Sequence, residues 1–345
     1  MRLIDHHCHG AVETPLDRAG FEAYLTESDR AAPEGCSAFD SQLGFAVRRW
    51  CAPVLGLPAH APPGEYLARR ASLGPAEVNR RLIEAARVET FLVDTGYGPE
   101  MPIYADSREI VRLEAVAEAL DGVTAAGFAA AFEEALPAER IYGYKSVIAY
   151  RIGLDFDPEP PTKREVTRAA GRWLRQGRPR LTDSVLLRHL IWAGLERGLP
   201  LQFHTGFGDP DLDLARCAPA LMTGFLAATR DRGVPIMLLH CYPFHRQAGY
   251  LAQAFPHVYL DVGLAVNHVG ARATAVVAES LELAPFHKVL YSSDAYGLAE
   301  LHYLGAVLFR EAFGAITRDG LWSPSDAERV AELVGSGNAR RVYRL

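Results

Sequence analysis

The chain has 345 residues, of which 49% are hydrophobic and 23% charged, and its formal net charge is −6. This balance is typical of a globular protein with a large core. The acidic charge and the lack of dense Lys/Arg runs argue against a nucleic-acid partner, and no apolar window is long enough to span a bilayer. Five cysteines without a Cys-x-x-Cys pair argue against a disulfide framework. Together with the lack of an apolar signal segment, they predict a cytoplasmic protein.

The first segment, residues 3–10 (Leu-Ile-Asp-His-His-Cys-His-Gly), predicts a β-strand that ends in histidines. Because alternate residues of a strand share a face, His7 and His9 are predicted to point to one side, with Asp5 behind them and His6 opposite. Imidazole is the commonest protein ligand for zinc and similar metals. These residues alone leave a metal site and a pair of surface histidines both open.

Seven further apolar segments predict buried parallel strands, because they lack the strict alternation of a strand with one face in water. The eight predicted strands cover residues 2–9, 89–95, 109–113, 141–150, 200–205, 235–241, 258–263 and 288–294. Helix-length amphipathic segments lie at about 182–198, 212–232, 243–255, 267–284, 297–317 and 323–334. The alternation predicts an α/β protein, a (β/α)8 TIM barrel that forms one domain over residues 1–345.

Residues 11–87 separate the first two predicted strands by far more than one helix requires. They contain several prolines and short helical patches. We expect a helical insertion after the first strand, on the face of the barrel where the strands end. It would form a lid over the site, or a packing appendage, or an oligomer contact, and the sequence leaves these open.

Polar side chains follow the apolar core of five predicted strands, at the end where parallel barrels carry their chemistry. In chain order they are His7 and His9, Lys145, His204, His240 and Asp294. A polar group placed there costs free energy unless it is paired. Four histidines and a carboxylate that converge on one point are a suitable ligand set for a first-row metal.

This ordered set, His-x-His, Lys, His, His and Asp over strands one, four, five, six and eight, resembles the amidohydrolase superfamily. Residues 337–343 (Gly-Asn-Ala-Arg-Arg-Val-Tyr) resemble the end of its amidohydrolase-2 branch. The segments Tyr-Lys-Ser, Phe-His-Thr-Gly, His-Cys-Tyr-Pro and Ser-Asp-Ala-Tyr resemble the amidohydrolase-like domain sometimes fused to glutamine synthetase-like proteins. The resemblance covers the chain except for about residues 11–87.

The resemblance implies a divalent metal, for which we expect zinc, as one or two ions. We favour two ions because all six ligand types are present. The ligands of the more buried ion would be His7, His9 and Asp294. Those of the second ion would be His204 and His240, with Lys145, carbamylated at its amine, as the bridge between both ions. An ammonium beside two cations is repelled, whereas a carbamate is attracted.

A one-ion arrangement stays open, as in decarboxylase-type relatives of the same branch. Its ligands would be His7, His9, His204 and Asp294. In that case His240 would be a free acid or base, and Lys145 would be an ordinary cation that grips a substrate carboxylate.

Five residues just after predicted strand ends are expected to contact the substrate: Arg151, Tyr150, Tyr242, Tyr296 and His245. Arg151 would bind an anionic group. For His245 and for His302 a helix-packing role stays open, and we assign no role to His268.

The expected function is hydrolysis of an amide, lactone or similar acyl bond in a small molecule by metal-activated water. Asp294 and His240 are the predicted catalytic residues, with Asp294 carrying the proton from water to the leaving group. The alternatives are a one-metal, non-oxidative decarboxylase, a sugar-acid isomerase, and a non-catalytic barrel that serves as a binding domain. No nucleotide-binding motif is present, and formation of a homo-oligomer is left open.

Overall fold

The computed structural model describes residues 1–102, 105–137 and 139–345. Within these ranges the strands form one parallel sheet in chain order. They are β1 Leu3–Cys8, β2 Val88–Asp94, β3 Ser107–Arg112, β4 Ile141–Ser146, β5 Leu201–Thr205, β6 Ile236–His240 and β7 Val258–Leu260. Each strand pairs with the next one, and helices lie in the connections other than the one from β2 to β3, whose described residues contain none, so the predicted α/β class and TIM-barrel architecture are confirmed.

The eighth predicted strand, residues 288–294, lies in its expected place but is not a regular strand. Val289 forms an isolated parallel bridge with Leu260 at the end of β7. On the other side, the backbone N–H of His6 donates to the carbonyl oxygen of Tyr291 at 3.2 Å. The backbone N–H of Asp294 also donates to the carbonyl oxygen of His7 at 3.1 Å, so the segment connects β7 to β1 through a few hydrogen bonds rather than a regular ladder.

A side chain explains this irregularity. The backbone N–H of Ser293 donates to the Oδ1 atom of Asp5 at 2.9 Å, so a side chain takes a donor that a strand would use in its ladder. The next residue, Asp294, has a φ of 49° and leaves the extended conformation. The chain thus turns out of the sheet at the position of the predicted carboxylate ligand.

The helices fall into three groups along the chain. Those before β2 are α1 Arg18–Glu22, α2 Gln42–Ala46, α3 Ala52–Val54, α4 Pro63–Leu73 and α5 Pro75–Ala86. Those between β3 and β7 are α6 Leu113–Ala119, α7 Phe128–Ala135, α8 Lys163–Arg175, α9 Ser184–Glu196, α10 Thr223–Thr229 and α11 His245–Ala254. Those after β7 are α12 Gly263–Val269, α13 Ala273–Ser280, α14 Ala299–Ile316, α15 Pro324–Glu332 and α16 Asn338–Tyr343. No helix in the described ranges combines the length and apolarity required to cross a membrane.

Two predicted helices are broken in the structure. The segment 212–232 contains two 3-10 turns, Leu214–Arg216 and Pro219–Met222, before α10 begins. Pro219 has no backbone N–H to donate to a preceding turn, so a continuous helix is not possible there. The segment 267–284 is divided between α12 and α13 at Gly270, whose φ of 49° ends a right-handed helix.

The inside of the barrel is filled by a small apolar cluster from both the strands and α16. Its buried members are Ile4, Leu92, Ile110, Met237, Leu239, Leu290, Ala339, Val342 and Tyr343. The last three belong to α16, so this helix closes the interior of the barrel at the end opposite the carboxyl ends of the strands. A larger cluster lies between the strands and the surrounding helices. The site is therefore supported by packed side chains on both faces of the sheet.

Residues 11–87 are anchored on α14 by a buried ion pair. Arg70 Nε donates to Glu300 Oε1 at 2.6 Å, and the hydroxyl of Tyr66 donates to the same oxygen at 2.9 Å. Helix α5 packs along α14 as well. Another part of the segment, residues 23–29, reaches the cavity at the carboxyl ends of the strands.

Candidate active site

Strand β1 carries a bulge just before the site. Asp5 pairs with Phe91 and Cys8 pairs with Val93, so an advance of three residues along β1 matches an advance of only two along β2. An extra residue of this kind leaves two consecutive side chains on the same side of the strand. The imidazoles of His6 and His7 both lie inside the barrel, where they contact Tyr343 and Gln202 respectively.

The bulge overturns part of the predicted arrangement of β1. Asp5 does not lie behind His7 on the same face, and His6 does not lie on the opposite face. Asp5 is on the outside of the strand, where its Oδ2 accepts a hydrogen bond from the hydroxyl of Ser293 at 2.5 Å. His302 of α14 is its buried neighbour there, and it does not line the cavity. The prediction assumed unbroken alternation, which one additional residue reverses.

Six predicted groups line one cavity at the carboxyl ends of the strands: His7, His9, Lys145, His204, His240 and Asp294. The carboxylate of Asp294 lies between three imidazoles. Its Oδ1 is 3.1 Å from His7 Nε2 and 3.7 Å from His9 Nε2, and its Oδ2 is 3.3 Å from His240 Nδ1. The structure therefore brings together residues that are up to 287 positions apart in the sequence.

The remaining two groups lie on either side of this centre. Lys145 Nζ is 3.3 Å from His7 Nε2, and the Lys145 side chain is buried. The ring centroid of His204 is 4.6 Å from that of His240. His7 is therefore close to both Asp294 and Lys145, and His240 is close to both Asp294 and His204.

Two ring nitrogens in the cluster are buried without a hydrogen-bond partner among the described residues, His204 Nε2 and His240 Nδ1. Although His240 Nδ1 is near Asp294, this contact does not have the direction of a hydrogen bond. A buried polar atom without a partner costs about 1–3 kcal/mol. A metal ion coordinated by these nitrogens removes that cost, so the donor set fits a first-row metal.

Backbone strain coincides with two of the candidate ligands. His240 and Asp294 have φ angles of 65° and 49°, and Cys241 follows with 61°. Residues other than glycine rarely adopt this region, at a cost of about 1–3 kcal/mol each. Such strain persists where the surrounding structure holds a side chain in a required direction. Here it turns the ends of β6 and of the eighth segment toward the same point.

The electrostatics of the cluster favour neutral imidazoles. Burial lowers the pKa of His7, His204 and His240 well below the usual range, and the charge of Lys145 acts in the same direction. Burial also lowers the pKa of Lys145 to about 8, while the carboxylate of Asp94 opposes this shift. Neutral imidazoles and a lysine that readily gives its free amine are the forms that metal binding and carbamylation require.

His9 is held in one tautomer by backbone carbonyl groups. Its Nδ1 lies 3.3 Å from the carbonyl oxygen of Asp94 and 3.2 Å from that of Tyr97. Because a carbonyl oxygen only accepts, Nδ1 must carry the proton. The lone pair of His9 is therefore on Nε2, the atom that faces Asp294.

An ion pair at the ends of β2 and β3 was missed by the sequence interpretation. Arg112 Nε donates to Asp94 Oδ2 at 3.0 Å, and Asp94 is fully buried beside His7 and His9. Arg112 lines the cavity. Asp94 and Arg112 are each the last residue of a strand. This position, which identified the other site residues, could have identified these two as well.

The cavity has a volume of about 600 Å³ and contains three of the five predicted substrate contacts, Tyr150, Arg151 and Tyr296. The ring of Tyr150 lies on His204 with centroids 4.5 Å apart. Arg151 Nη1 is 3.2 Å from Glu118 Oε1, but its Nε has no hydrogen-bond partner among the described residues. Arg151 therefore retains donor capacity next to the cavity.

Tyr242 and His245 do not line the cavity, contrary to expectation. Their rings stack with centroids 5.6 Å apart, and His245 Nε2 is 2.6 Å from Glu279 Oε2. The chain turns at His240 and Cys241, which have positive φ angles, and His245 then lies against α13, the helix that carries Glu279.

Residues without an assigned role complete the mouth of the cavity. Residues 23–29 supply Tyr24 and Glu27, and Glu27 Oε1 is 3.2 Å from Nε2 of His268. Asp209 lies on the loop after β5. The lining therefore carries acidic groups together with three arginines, Arg112, Arg151 and Arg180, of which the side chains of Arg112 and Arg151 are the less exposed, at 14% and 9% against 48%. No periodic pattern in the sequence marks these positions.

Known proteins are similar to this chain over most of its length. The model of a family described as amidohydrolase (Amidohydro_2) matches residues 4–345. The chain is also similar to the protein fluG of Emericella nidulans, with 31% identity over 263 residues. The match covers 71% of this chain but only 30% of the length of fluG.

Solved structures share the fold over the full length. A Lactobacillus casei ATCC 334 protein, assigned as a metal-dependent hydrolase, matches with a TM-score of 0.84 and 29% identity, over 99% of this chain and 95% of that one. The uronate isomerase of Thermotoga maritima matches with a TM-score of 0.62 and 13% identity, over 99% and 94% of the two chains. The uronate isomerase of Bacillus halodurans C-125 gives 0.63 and 15%, over 99% and 93%. At these low identities the isomerases show the fold alone.

Proposed function

Because the chain belongs to the amidohydrolase family, we propose that it is a metal-dependent hydrolase of an amide, lactone or similar acyl bond in a small molecule. One observation carries the proposal: among the described residues, His204 Nε2 and His240 Nδ1 are buried without hydrogen-bond partners, and His240 Nδ1 lies 3.3 Å from the carboxylate of Asp294. A non-catalytic binding barrel has no reason to maintain such a cluster, which lowers stability unless it binds an ion.

We assign two ions to the cluster and expect zinc. His7, His9 and Asp294 would hold the first ion, and His204 and His240 would hold the second. Lys145 would bridge both after carbamylation of its amine. The proximity of Lys145 Nζ to His7 Nε2, at 3.3 Å, and the lowered pKa of this lysine support the assignment.

The chemistry follows from the positions of the side chains. A bound divalent metal lowers the pKa of water to about 7 and polarises the acyl oxygen of the substrate. Asp294 accepts the proton of the attacking water while the oxygen–carbon bond forms. It then delivers this proton to the leaving nitrogen or oxygen as the acyl bond breaks, so the carboxylate is regenerated. With two ions His240 is a ligand, and with a single ion it would be free to act as an acid or base.

The cavity suggests which substrates to test first. Arg151 lines the cavity, its side chain is 9% exposed, and its Nε has no hydrogen-bond partner among the described residues. A guanidinium group binds carboxylates through charge-assisted hydrogen bonds. We therefore propose a small substrate with a carboxylate near the acyl bond, such as an N-acyl amino acid or a carboxylated lactone.

The test combines metal analysis with an isotope experiment. The purified chain is loaded with zinc, its zinc content is measured by mass spectrometry, and a panel of N-acyl amino acids and lactones is incubated in H2¹⁸O. We expect two zinc ions per chain and one ¹⁸O atom in the acid product. Release of carbon dioxide without ¹⁸O uptake would contradict hydrolysis and identify a decarboxylase. A chain that binds no metal would contradict the proposed function altogether.

A further inference from the structure

A chain of buried hydrogen bonds connects His7 to the last helix of the barrel, α16. Gln202 of β5 lies at its centre, with Oε1 2.9 Å from His7 Nδ1. Its Nε2 donates to the carbonyl oxygen of His6 at 2.8 Å and to the hydroxyl oxygen of Tyr343 at 2.9 Å. His6, His7 and Gln202 are fully buried and Tyr343 is 3% exposed. Hydrogen bonds in such a setting are strong, and a missing one is costly.

The carbonyl group of His6 fixes the direction of the Gln202 amide. A carbonyl oxygen only accepts, so the atom that faces it must be the NH2 group of the amide. The two hydrogens of this group are taken by His6 and Tyr343. The amide oxygen is left facing His7 Nδ1, and it also only accepts. His7 must therefore carry its proton on Nδ1, which leaves a lone pair on Nε2 beside Asp294 and Lys145.

We propose that Gln202 and Tyr343 are positioning residues that set the tautomer of His7 for metal binding. The proposal rests on the metal site proposed above. Gln202 acts directly, by accepting the Nδ1 proton. Tyr343 acts through Gln202, since its hydroxyl oxygen holds the amide in the required direction.

The same network extends from Tyr343 to a second candidate ligand. The Tyr343 hydroxyl accepts from Gln202, so its own proton is directed at His6 Nδ1, 3.0 Å away. His6 Nε2 then donates to Asp261 Oδ2 at 3.0 Å. The Oδ1 atom of Asp261 accepts from the backbone N–H of His240 at 2.9 Å. Tyr343 of α16 is thus linked to β1, to β5, to the last residue of β6 and to the residue that follows β7, which gives this helix a part in ordering the site.

The tautomer matters because only one ring nitrogen of His7 faces the cluster. If the proton moved to Nε2, an N–H group would occupy the direction in which the metal must bind. Partners that orient metal-binding histidines typically contribute 10–100-fold to metal affinity or activity. Disruption of this network should therefore weaken metal binding even when no substrate is present.

The first measurement is zinc affinity by competition with a chromophoric chelator. We expect Gln202→Leu to bind zinc about 10–100-fold more weakly than the wild type. Gln202→Glu keeps an acceptor opposite Nδ1 but loses the N–H groups that face the His6 carbonyl oxygen and Tyr343, so it should recover only part of the affinity. Tyr343→Phe should show a smaller loss. The matched control is Tyr144→Phe, which removes another tyrosine hydroxyl, one that donates to the carbonyl oxygen of Pro137 at 2.7 Å in a partly buried position. This change should leave zinc affinity unchanged.

The second measurement reports the tautomer itself in the metal-free protein. Ring ¹⁵N shifts of labelled histidine distinguish Nδ1–H from Nε2–H, and the His7 signals are assigned by their loss in His7→Asn. We expect Nδ1–H in the wild type and a population of Nε2–H in Gln202→Leu. Nε2–H in the wild type, or zinc affinity of Gln202→Leu within about twofold of the wild type, would overturn the proposal.

Two results separate the possible failures. If Gln202→Leu does not fold, equal zinc affinities of Tyr343→Phe and Tyr144→Phe would overturn the proposal. A wild type that binds no zinc would refute the proposed function, whereas the ¹⁵N shifts would still decide the tautomer of His7.

Discussion

Replacement of Lys145 by methionine separates stability from function at the centre of the site. The side chain of Lys145 is 2% exposed, and burial lowers its pKa from 10.5 to about 8, although Asp94 and Asp294 oppose the shift. This difference corresponds to about 3 kcal/mol of unfavourable free energy when the ammonium is buried at pH 7. Because the pKa of Lys145 is lowered in the folded state, the full free-energy cost of burying its ammonium is present below pH 8. This cost disappears as the pH rises from 8 toward 10.5.

Methionine keeps nearly the same length and apolar volume, so the packing loss should stay below about 1.5 kcal/mol. We therefore expect metal-free Lys145→Met to be more stable than the wild type by about 2 kcal/mol at pH 7, with a smaller gain at pH 10. Urea unfolding in carbon dioxide-free buffer, where the lysine is unmodified, measures this difference.

The same variant should lose function. Without the carbamate, zinc content should fall from two ions per chain to one or none, and hydrolysis should fall by about 100-fold or more. A variant that is less stable at pH 7, yet retains two zinc ions and full activity, would refute the assignment of Lys145 as a functional rather than structural group.

Three further predictions concern other parts of the site. Burial raises the pKa of Asp5 to about 7, so the stability of metal-free Asp5→Asn relative to the wild type should rise by about 3 kcal/mol between pH 4 and pH 7. A difference between the two proteins in urea unfolding that does not change with pH would contradict this. Arg151→Met should raise KM for carboxylated substrates about 10–100-fold with little change in kcat, and equal KM values would argue against a carboxylate contact. Asp294→Asn, which tolerates the positive φ, should retain its melting temperature but lose about 10²–10⁴-fold in kcat, and an active variant would exclude Asp294 as the proton carrier.

The barrel and the convergence of six polar groups were predictable because two strong rules apply to them. Buried parallel strands are near-continuous apolar runs, and polar residues at their carboxyl ends meet at one face of a barrel. Lys145, His204, His240 and Asp294 each follow such a run. The rule uses only position along the strand, so it does not depend on the details of packing.

The direction of individual side chains was less predictable, because it depends on local backbone geometry. One extra residue in β1 reversed the faces of Asp5 and His6, and hydrophobic periodicity contains no sign of a bulge. Tyr242 and His245 are close to His240 in sequence, but the turn at His240 and Cys241 directs them elsewhere.

Contacts that require two distant segments were not predictable from one chain without an alignment. The ion pair of Asp94 with Arg112 depends on the register between β2 and β3. The link from Gln202 to Tyr343 depends on how α16 enters the barrel. Glu27 reaches the cavity from a segment whose sequence has no regular pattern.

The most direct test of the central claim is an anomalous scattering experiment on crystals of the zinc-loaded chain. We expect one peak among His7, His9 and Asp294, a second peak beside His204 and His240, and electron density for a carboxylate on Lys145 between the two. Crystals grown with excess zinc that show these side chains bound only to one another, with no peak in the cavity, would contradict the account.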